Sequence, residues 1–119
     1  MEIKLEIDNG VAILKPVGNL VASTVAGLKD QVSRLIEKKY PCVLLDLAKV
    51  VFIDSAGLGA CIAIMKQLAA NNGLLVCTGL NENVKKVFQM TRADQKIRII
   101  DDRHDAMDVL LRWMAASRM

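Results

Sequence analysis

The chain has 119 residues, 53% of them hydrophobic, with Tyr40, Phe52, Phe88 and Trp113 as its few aromatics; this excludes a disordered segment and predicts one domain over 1–119 with an aliphatic core. Sixteen Lys and Arg against 13 Asp and Glu leave a net charge of +3, and pairs such as Lys38-Lys39 and Lys85-Lys86 without interleaved aromatics read as a solvated surface, excluding direct nucleic-acid binding. Cys42, Cys61 and Cys77 stand apart in apolar runs, as core thiols of a reducing compartment do. No signal peptide is visible and the longest apolar run, 56–65, falls short of the roughly 20 residues that span a bilayer, so the expectation is a cytoplasmic protein with no membrane insertion.

Glu2-Ile3-Lys4-Leu5-Glu6-Ile7 alternates strictly, the period-2 signature of a strand with one wet face. Asp8-Asn9-Gly10 supplies a turn and residues 11–17 return as the second strand of a hairpin. Pro16 lacks an amide proton, which predicts that this end lies at an edge or leaves the sheet. Residues 18–22 read as a loop and Ser23 as an N-cap. Val25, Leu28, Val32, Leu35 and Ile36 then recur at helical spacing, and Pro41 closes that helix.

Residues 43–47 form a short, almost wholly apolar strand, as when both faces are covered. After a loop containing Phe52, a helix is expected over 56–71, with Asn72-Gly73 as its stop. Residues 74–77 read as another buried strand. A third helix begins near Asn81 and carries Val84, Val87 and Phe88. Residues 97–100 form a final strand, and Asp101-Asp102 opens a last helix with Ala106, Val109, Leu110 and Trp113 on one stripe. Strands alternating with helices after a hairpin predict an α/β fold with a mixed sheet and about four helices.

Placed at 100° steps, Leu58, Cys61, Ile62, Ile64, Met65, Leu68 and Ala69 share a core-facing arc. The opposite arc holds Ala56, Gly59, Ala60, Ala63, Lys66, Gln67 and Ala70, so its first turns are bare of long side chains. Gly in a helix costs roughly 1 kcal/mol relative to Ala, yet Gly57 and Gly59 both occur in the first turns. They serve either close internal packing or close approach of a partner. Ser55 suits the N-cap. The same place suits a phosphate, because a helix start presents unpaired amides and a positive dipole end, while Asp54 opposes its charge.

Enzyme chemistry finds little support. A serine nucleophile needs a base, and the only histidine, His104, lies in the charged stretch Asp102-Arg103-His104-Asp105. The nucleophile-elbow pattern is missing around Ser55. Gly57-Leu58-Gly59 starts like a dinucleotide loop, but Ile62 occupies the third glycine position. One His and three separated Cys give no metal-ligand spacing; Asp101, Asp102, Asp105 and Asp108 fit the start of a helix. No catalytic residue, metal or cofactor is expected.

Phe52-Ile53-Asp54-Ser55-Ala56-Gly57-Leu58-Gly59 resembles the signature of anti-sigma factor antagonists, members of the STAS domain family, and the resemblance extends over nearly the whole chain. It implies a partner-switching protein. Ser55 falls on the serine that a serine-kinase anti-sigma factor phosphorylates. The unphosphorylated form binds that kinase, which frees its sigma factor; phosphorylation dissolves the complex and a serine phosphatase resets it. ATP would belong to the kinase. The partner-binding surface is then expected at Asp54, Ala56, Gly57, Leu58, Gly59, Ala60 and Ala63, with Asn19, Val21 and Ser23 from the loop after the second strand. That loop is often acidic in the family but reads Gly18-Asn19-Leu20-Val21-Ala22 here. The departure keeps an alternative in view, a non-switching interaction subunit of a transporter or larger signalling complex. A small-ligand or lipid binder is a third reading, though no polar cluster specifies a ligand.

Overall fold

A computed structural model describes residues 1–117. Strands β1 (Glu2–Asp8) and β2 (Val11–Leu20) form the expected antiparallel hairpin. Its two-residue turn puts Asn9 at φ 51° and Gly10 at φ 86°, the double left-handed conformation that Asn-Gly supports at little cost. Helix α1 (Val25–Glu37) leads to β3 (Cys42–Asp46), then β4 (Val50–Ile53), α2 (Ser55–Ala70), β5 (Leu74–Thr78), α3 (Glu82–Met90), β6 (Arg98–Ile99) and α4 (Arg103–Ser117). The six strands make one mixed sheet in the order β1-β2-β3-β5-β6, with β4 paired to β2. All pairs beyond the hairpin are parallel.

Alternation along the central strands splits the interior in two. Ala12 and Leu14 of β2, Val43 and Leu45 of β3, and Leu75 and Cys77 of β5 face the larger core, packed with Leu28 and Val32 of α1, Cys61, Ile64 and Leu68 of α2, and Val84 and Phe88 of α3. Their neighbours Val11, Ile13, Cys42, Leu44 and Val76 face the smaller core, covered by Ala106 and Leu110 of α4. Both faces are therefore apolar, which is why these strands read as continuous hydrophobic runs.

The structure corrects several expectations. β1 has little shelter on either face, because it is the outermost strand. Pro16 neither ends β2 nor leaves the sheet. β2 runs four residues further and changes neighbour at that point, from β3 (through Leu14) to β4 (from Gly18), so the missing amide falls between two ladders. Gly18, at φ 113°, accommodates the register shift that follows. Ser23 does not cap α1; Thr24 is the residue before the helix and makes no capping bond. Instead its hydroxyl donates to the Asn19 carbonyl at 2.7 Å and accepts from the Val21 amide at 3.0 Å, folding the turn onto itself. α1 ends before Pro41, with Lys39 at φ 69°. Phe52 lies in a strand rather than a loop, and the last strand shortens to Arg98–Ile99. Trp113 is half exposed, its indole donating to the Asn72 carbonyl.

The three cysteines are buried free thiols. Burial pushes Cys61 up to about 12 and Cys77 well above the usual thiol range. A thiol with a raised folded-state pKa holds its proton more tightly folded than unfolded. Its contribution is therefore intact below the unfolded thiol pKa of roughly 8.5 and is lost as pH rises toward the folded value. The denaturant midpoint should accordingly hold between pH 7 and about 8 and fall as pH climbs through the window up to about 12 set by Cys61; a midpoint that rises there contradicts the assignment.

Candidate functional site

The segment joining β4 to α2 carries the candidate site. Asp54, not Ser55, is the N-cap: its backbone is extended (φ −103°, ψ −174°) and its carboxylate accepts the Gly57 amide at 2.8 Å. Two residues eligible for the cap stand side by side, and the chain enters the helix one position earlier than the apolar pattern suggested. Ser55 is thereby the first helical residue and exposed. Among the described residues its hydroxyl has no hydrogen-bond partner within the protein, so it is a presented group rather than a structural one.

Gly57 explains how this end is held. It is buried against β2, and a Cβ there would collide with the Leu20 carbonyl and crowd Ile53. The same Leu20 carbonyl accepts the Asp54 amide at 3.2 Å, while Leu20 itself pairs with Ile53. The start of α2 is thus fastened to the end of β2. Asn81, the N-cap of α3, adds a second fastening: its side-chain NH2 donates to the Val50 and Val51 carbonyls, each at 3.1 Å, and its oxygen accepts the Val84 amide at 2.8 Å.

Of the ten residues expected to meet a partner, Gly59, Ala63, Asn19 and Ser23 are exposed, and Asp54, Ala56 and Val21 are half-buried. Ser55, Gly59 and Ala63, four apart, form one bare exposed stripe. Nothing lies within 4 Å of where a Cβ on Gly59 would be, so that glycine is not demanded by internal packing. Gly57, Leu58 and Ala60 are buried and are corrected to interior residues. The docking of Gly57 onto Leu20 turns this side of the first turns inward, and Ala60 lies one turn on from it. Asn19 and Val21 flank Leu20, which brings their turn beside the start of α2.

The sequence reading missed two members of this surface. Val51 and Phe52 of β4 are 66% and 51% exposed, large apolar side chains immediately ahead of the Asp54 cap. Two consecutive outward apolar residues break the alternation that marks a strand, and burial is the usual expectation for both. His104 is exposed on α4, 3.8 Å from Asp108, and does not approach Ser55 through any hydrogen bond or ion pair among the described residues. Those residues also hold no cluster of three or more potential metal ligands.

Comparison with known proteins decides the family. The STAS domain model matches residues 2–106. The chain belongs to the STAS domain family. Among relatives, a Thermotoga maritima protein proposed as an anti-sigma factor antagonist is 30% identical over 108 residues, 90% of this chain and 96% of that one. A crystal structure of a Thermotoga maritima protein proposed for the same role superposes with a TM-score of 0.85 at 28% identity, covering 91% and 93% of the two chains. The Bacillus cell fate determinant SpoIIAA, in its phosphorylated form, shares the fold with a TM-score of 0.70 at 21% identity over 90% of this STAS chain and 97% of its own. Among the described residues, no helix is long and apolar enough to cross a membrane.

The geometry separates capping from display. Asp54→Ala should lower stability by about 1 kcal/mol through loss of the cap, and Gly57→Ala by roughly 1–3 kcal/mol through forced displacement from Leu20. Ser55→Ala should stay within about 0.5 kcal/mol of the parent. Chemical denaturation of the three variants checks this order; a Ser55→Ala loss as large as that of Asp54→Ala would restore Ser55 as the cap.

Proposed function

We propose that this STAS protein is a non-catalytic, cytoplasmic anti-sigma factor antagonist that switches partners at Ser55. One observation carries the reading: Ser55 offers an exposed, unbonded hydroxyl at the first position of α2 while Asp54 caps the helix. The hydroxyl can be modified without dismantling the helix end. The bare stripe through Gly59 and Ala63, the apolar Val51 and Phe52 and the Asn19–Val21 turn support a protein-docking surface around it.

In this reading the unmodified face binds a serine-kinase anti-sigma factor, and the sigma factor held by that kinase is released. The kinase then directs the Ser55 oxygen at the γ-phosphorus of its own ATP. The new O–P bond forms as the bond to ADP breaks, and the hydroxyl proton passes to a base on the kinase. The phosphate adds about −1.5 to −2 charges at pH 7, beside Asp54 and amid apolar contacts, and the complex separates. A serine phosphatase restores the hydroxyl by hydrolysis. The relationship to proteins proposed as anti-sigma factor antagonists supports this role. The alternative of a non-switching transporter subunit rests on a shared fold alone, with a sulfate transporter family protein from Wolinella succinogenes at 16% identity and a TM-score of 0.74, against 30% identity to a protein proposed as an anti-sigma factor antagonist.

The test is phosphorylation of the purified chain by a serine-kinase anti-sigma factor of the same organism with magnesium and labelled ATP. Label is expected at Ser55 by peptide mapping and absent from Ser55→Ala. Ser55→Asp should bind the kinase at least about tenfold more weakly, the equivalent of about 1.4 kcal/mol. Label at another residue with Ser55 untouched, or equal affinity of the parent and Ser55→Asp, overturns the mechanism. Recovery of a transport protein from native cells, with no kinase, favours the alternative.

A further inference from the structure

The outer edge of the sheet at β1 carries a second surface. β1 has β2 on one side and, among the described residues, no strand on the other. Exposed strand edges are usually short, bulged or covered, since their free amides and carbonyls template pairing with another chain. This one runs seven residues in regular register with β2, from Glu2↔Val17 to Asp8↔Val11. Leu5 and Ile7 are 47% and 45% exposed. They border a groove of about 330 Å³ between β1 and α1, whose walls include Gln31, Arg34, Lys38 and Tyr40.

The hairpin decides which backbone groups point outward. In a two-residue turn the flanking residues form a hydrogen-bonded pair and the pattern alternates from there. Asp8 flanks the turn opposite Val11, so Asp8, Glu6, Lys4 and Glu2 direct their amides and carbonyls to β2. Ile3, Leu5 and Ile7 direct theirs to the open edge. These three are also the apolar residues of the strand, opposite Pro16, Leu14 and Ala12 on the larger-core face. Glu6 lies on the other face, held by Lys15 at 3.1 Å and Arg103 at 3.0 Å.

We propose that this edge pairs antiparallel with the β1 of a second copy of the chain, Leu5 opposite Leu5 on a two-fold axis. The charge pattern of the strand and the number of outward backbone pairs together select the occupant and the register. With Leu5 on the axis, Ile3 faces Ile7 of the other copy, so every outward amide and carbonyl of Ile3, Leu5 and Ile7 meets its counterpart. On the opposite face Lys4 stands across from Glu6 of the other copy, twice by symmetry. Opposite charges directly across a ladder favour pairing and like charges oppose it. A slip by one residue sets outward backbone groups against inward ones. A slip by two in one direction places Lys4 against Lys4 and Glu2 against Glu6. In the other it sets Lys4 against Asp8 but Glu6 against Glu6, and it keeps only two of the three outward backbone pairs, since Ile3 then faces the turn. Only the Glu2–Asp8 pairs at the strand ends are unfavourable. The interface is isologous, closes as a dimer and leaves no free edge there. It does not depend on the reading of Ser55.

Sedimentation equilibrium over a concentration series reaching the high micromolar range tests the proposal. The parent chain should approach twice its monomer mass. Lys4→Glu or Glu6→Lys should each weaken dimerisation about tenfold or more, by turning two attractive pairs into repulsive ones. An equimolar mixture of the two variants should recover the dimer, since each acidic strand then faces a basic one. Glu2→Lys, which makes both end pairs attractive, should tighten the dimer severalfold. Glu6→Lys also gives up the Lys15 and Arg103 contacts; should it fail to fold by circular dichroism, Lys4→Glu and Glu2→Lys still decide. A parent chain monomeric at every concentration, a Lys4→Glu dimer as tight as the parent, a mixture of folded variants that stays monomeric, or a Glu2→Lys dimer no tighter overturns it.

Discussion

The contact between Gly57 and the Leu20 carbonyl governs the candidate site. That carbonyl, at the end of β2, takes the Asp54 amide and then meets the first turn of α2 so closely that any side chain on residue 57 would strike it. A glycine inside a helix costs roughly 1 kcal/mol relative to Ala, and here that cost is offset by docking the helix start against the sheet. The consequences follow in order. Ile53 pairs with Leu20, Asp54 is extended and caps, and Ser55 is the first helical residue, turned to solvent. Display of Ser55 is thus an outcome of backbone packing, and a neighbouring glycine with a different environment makes the contrast plain: Gly59 has open space where its side chain would be.

What could be read in the sequence depended on whether a local pattern had one physical solution. Asn9-Gly10 has one, the tight hairpin turn. The apolar runs of β3 and β5 have one in an α/β chain, a strand covered on both faces. Asp54-Ser55 does not, because both residues cap helices well and only the Leu20 contact chooses between them. Ala60 was equally ambiguous: alanine is at home on either face of a helix, and the inward tilt imposed at Gly57 decided its burial. β4 escaped because Val51 and Phe52 are apolar and exposed, the reverse of what burial preference predicts. Pro16 showed correctly where a ladder is interrupted but not that a different strand takes over two residues later.

The two surfaces that follow from the fold use different physics. Around Ser55, the features are side-chain features: bareness along the helix, apolar area on β4 and one modifiable hydroxyl. At β1, the backbone supplies the attraction and the alternation of Ile3, Leu5 and Ile7 with Glu2, Lys4 and Glu6 supplies the register. The first surface is suited to a partner of different shape whose attachment can be reversed. The second, in the pairing proposed, is self-complementary in its backbone and across its central Lys4–Glu6 pairs, which suits another copy of the same strand.

On the switching reading, the magnitudes indicate where a phosphate on Ser55 acts. Near a helix start, the dipole favours an anion by about 0.3–1 kcal/mol. Per unit of phosphate charge, repulsion from the Asp54 carboxylate is of similar size in water, about 1 kcal/mol at 4 Å. These effects oppose each other on an exposed residue, so the folded domain gains or loses little. A docked partner changes the balance. Covering Val51 and Phe52 excludes water from the same neighbourhood, and an unpaired charge caught there costs several kcal/mol. Nearly all of the penalty therefore falls on the complex. Such a switch requires no rearrangement of the chain, only that the serine stand where a partner must cover it, and the close seating of Gly57 on Leu20 puts it there.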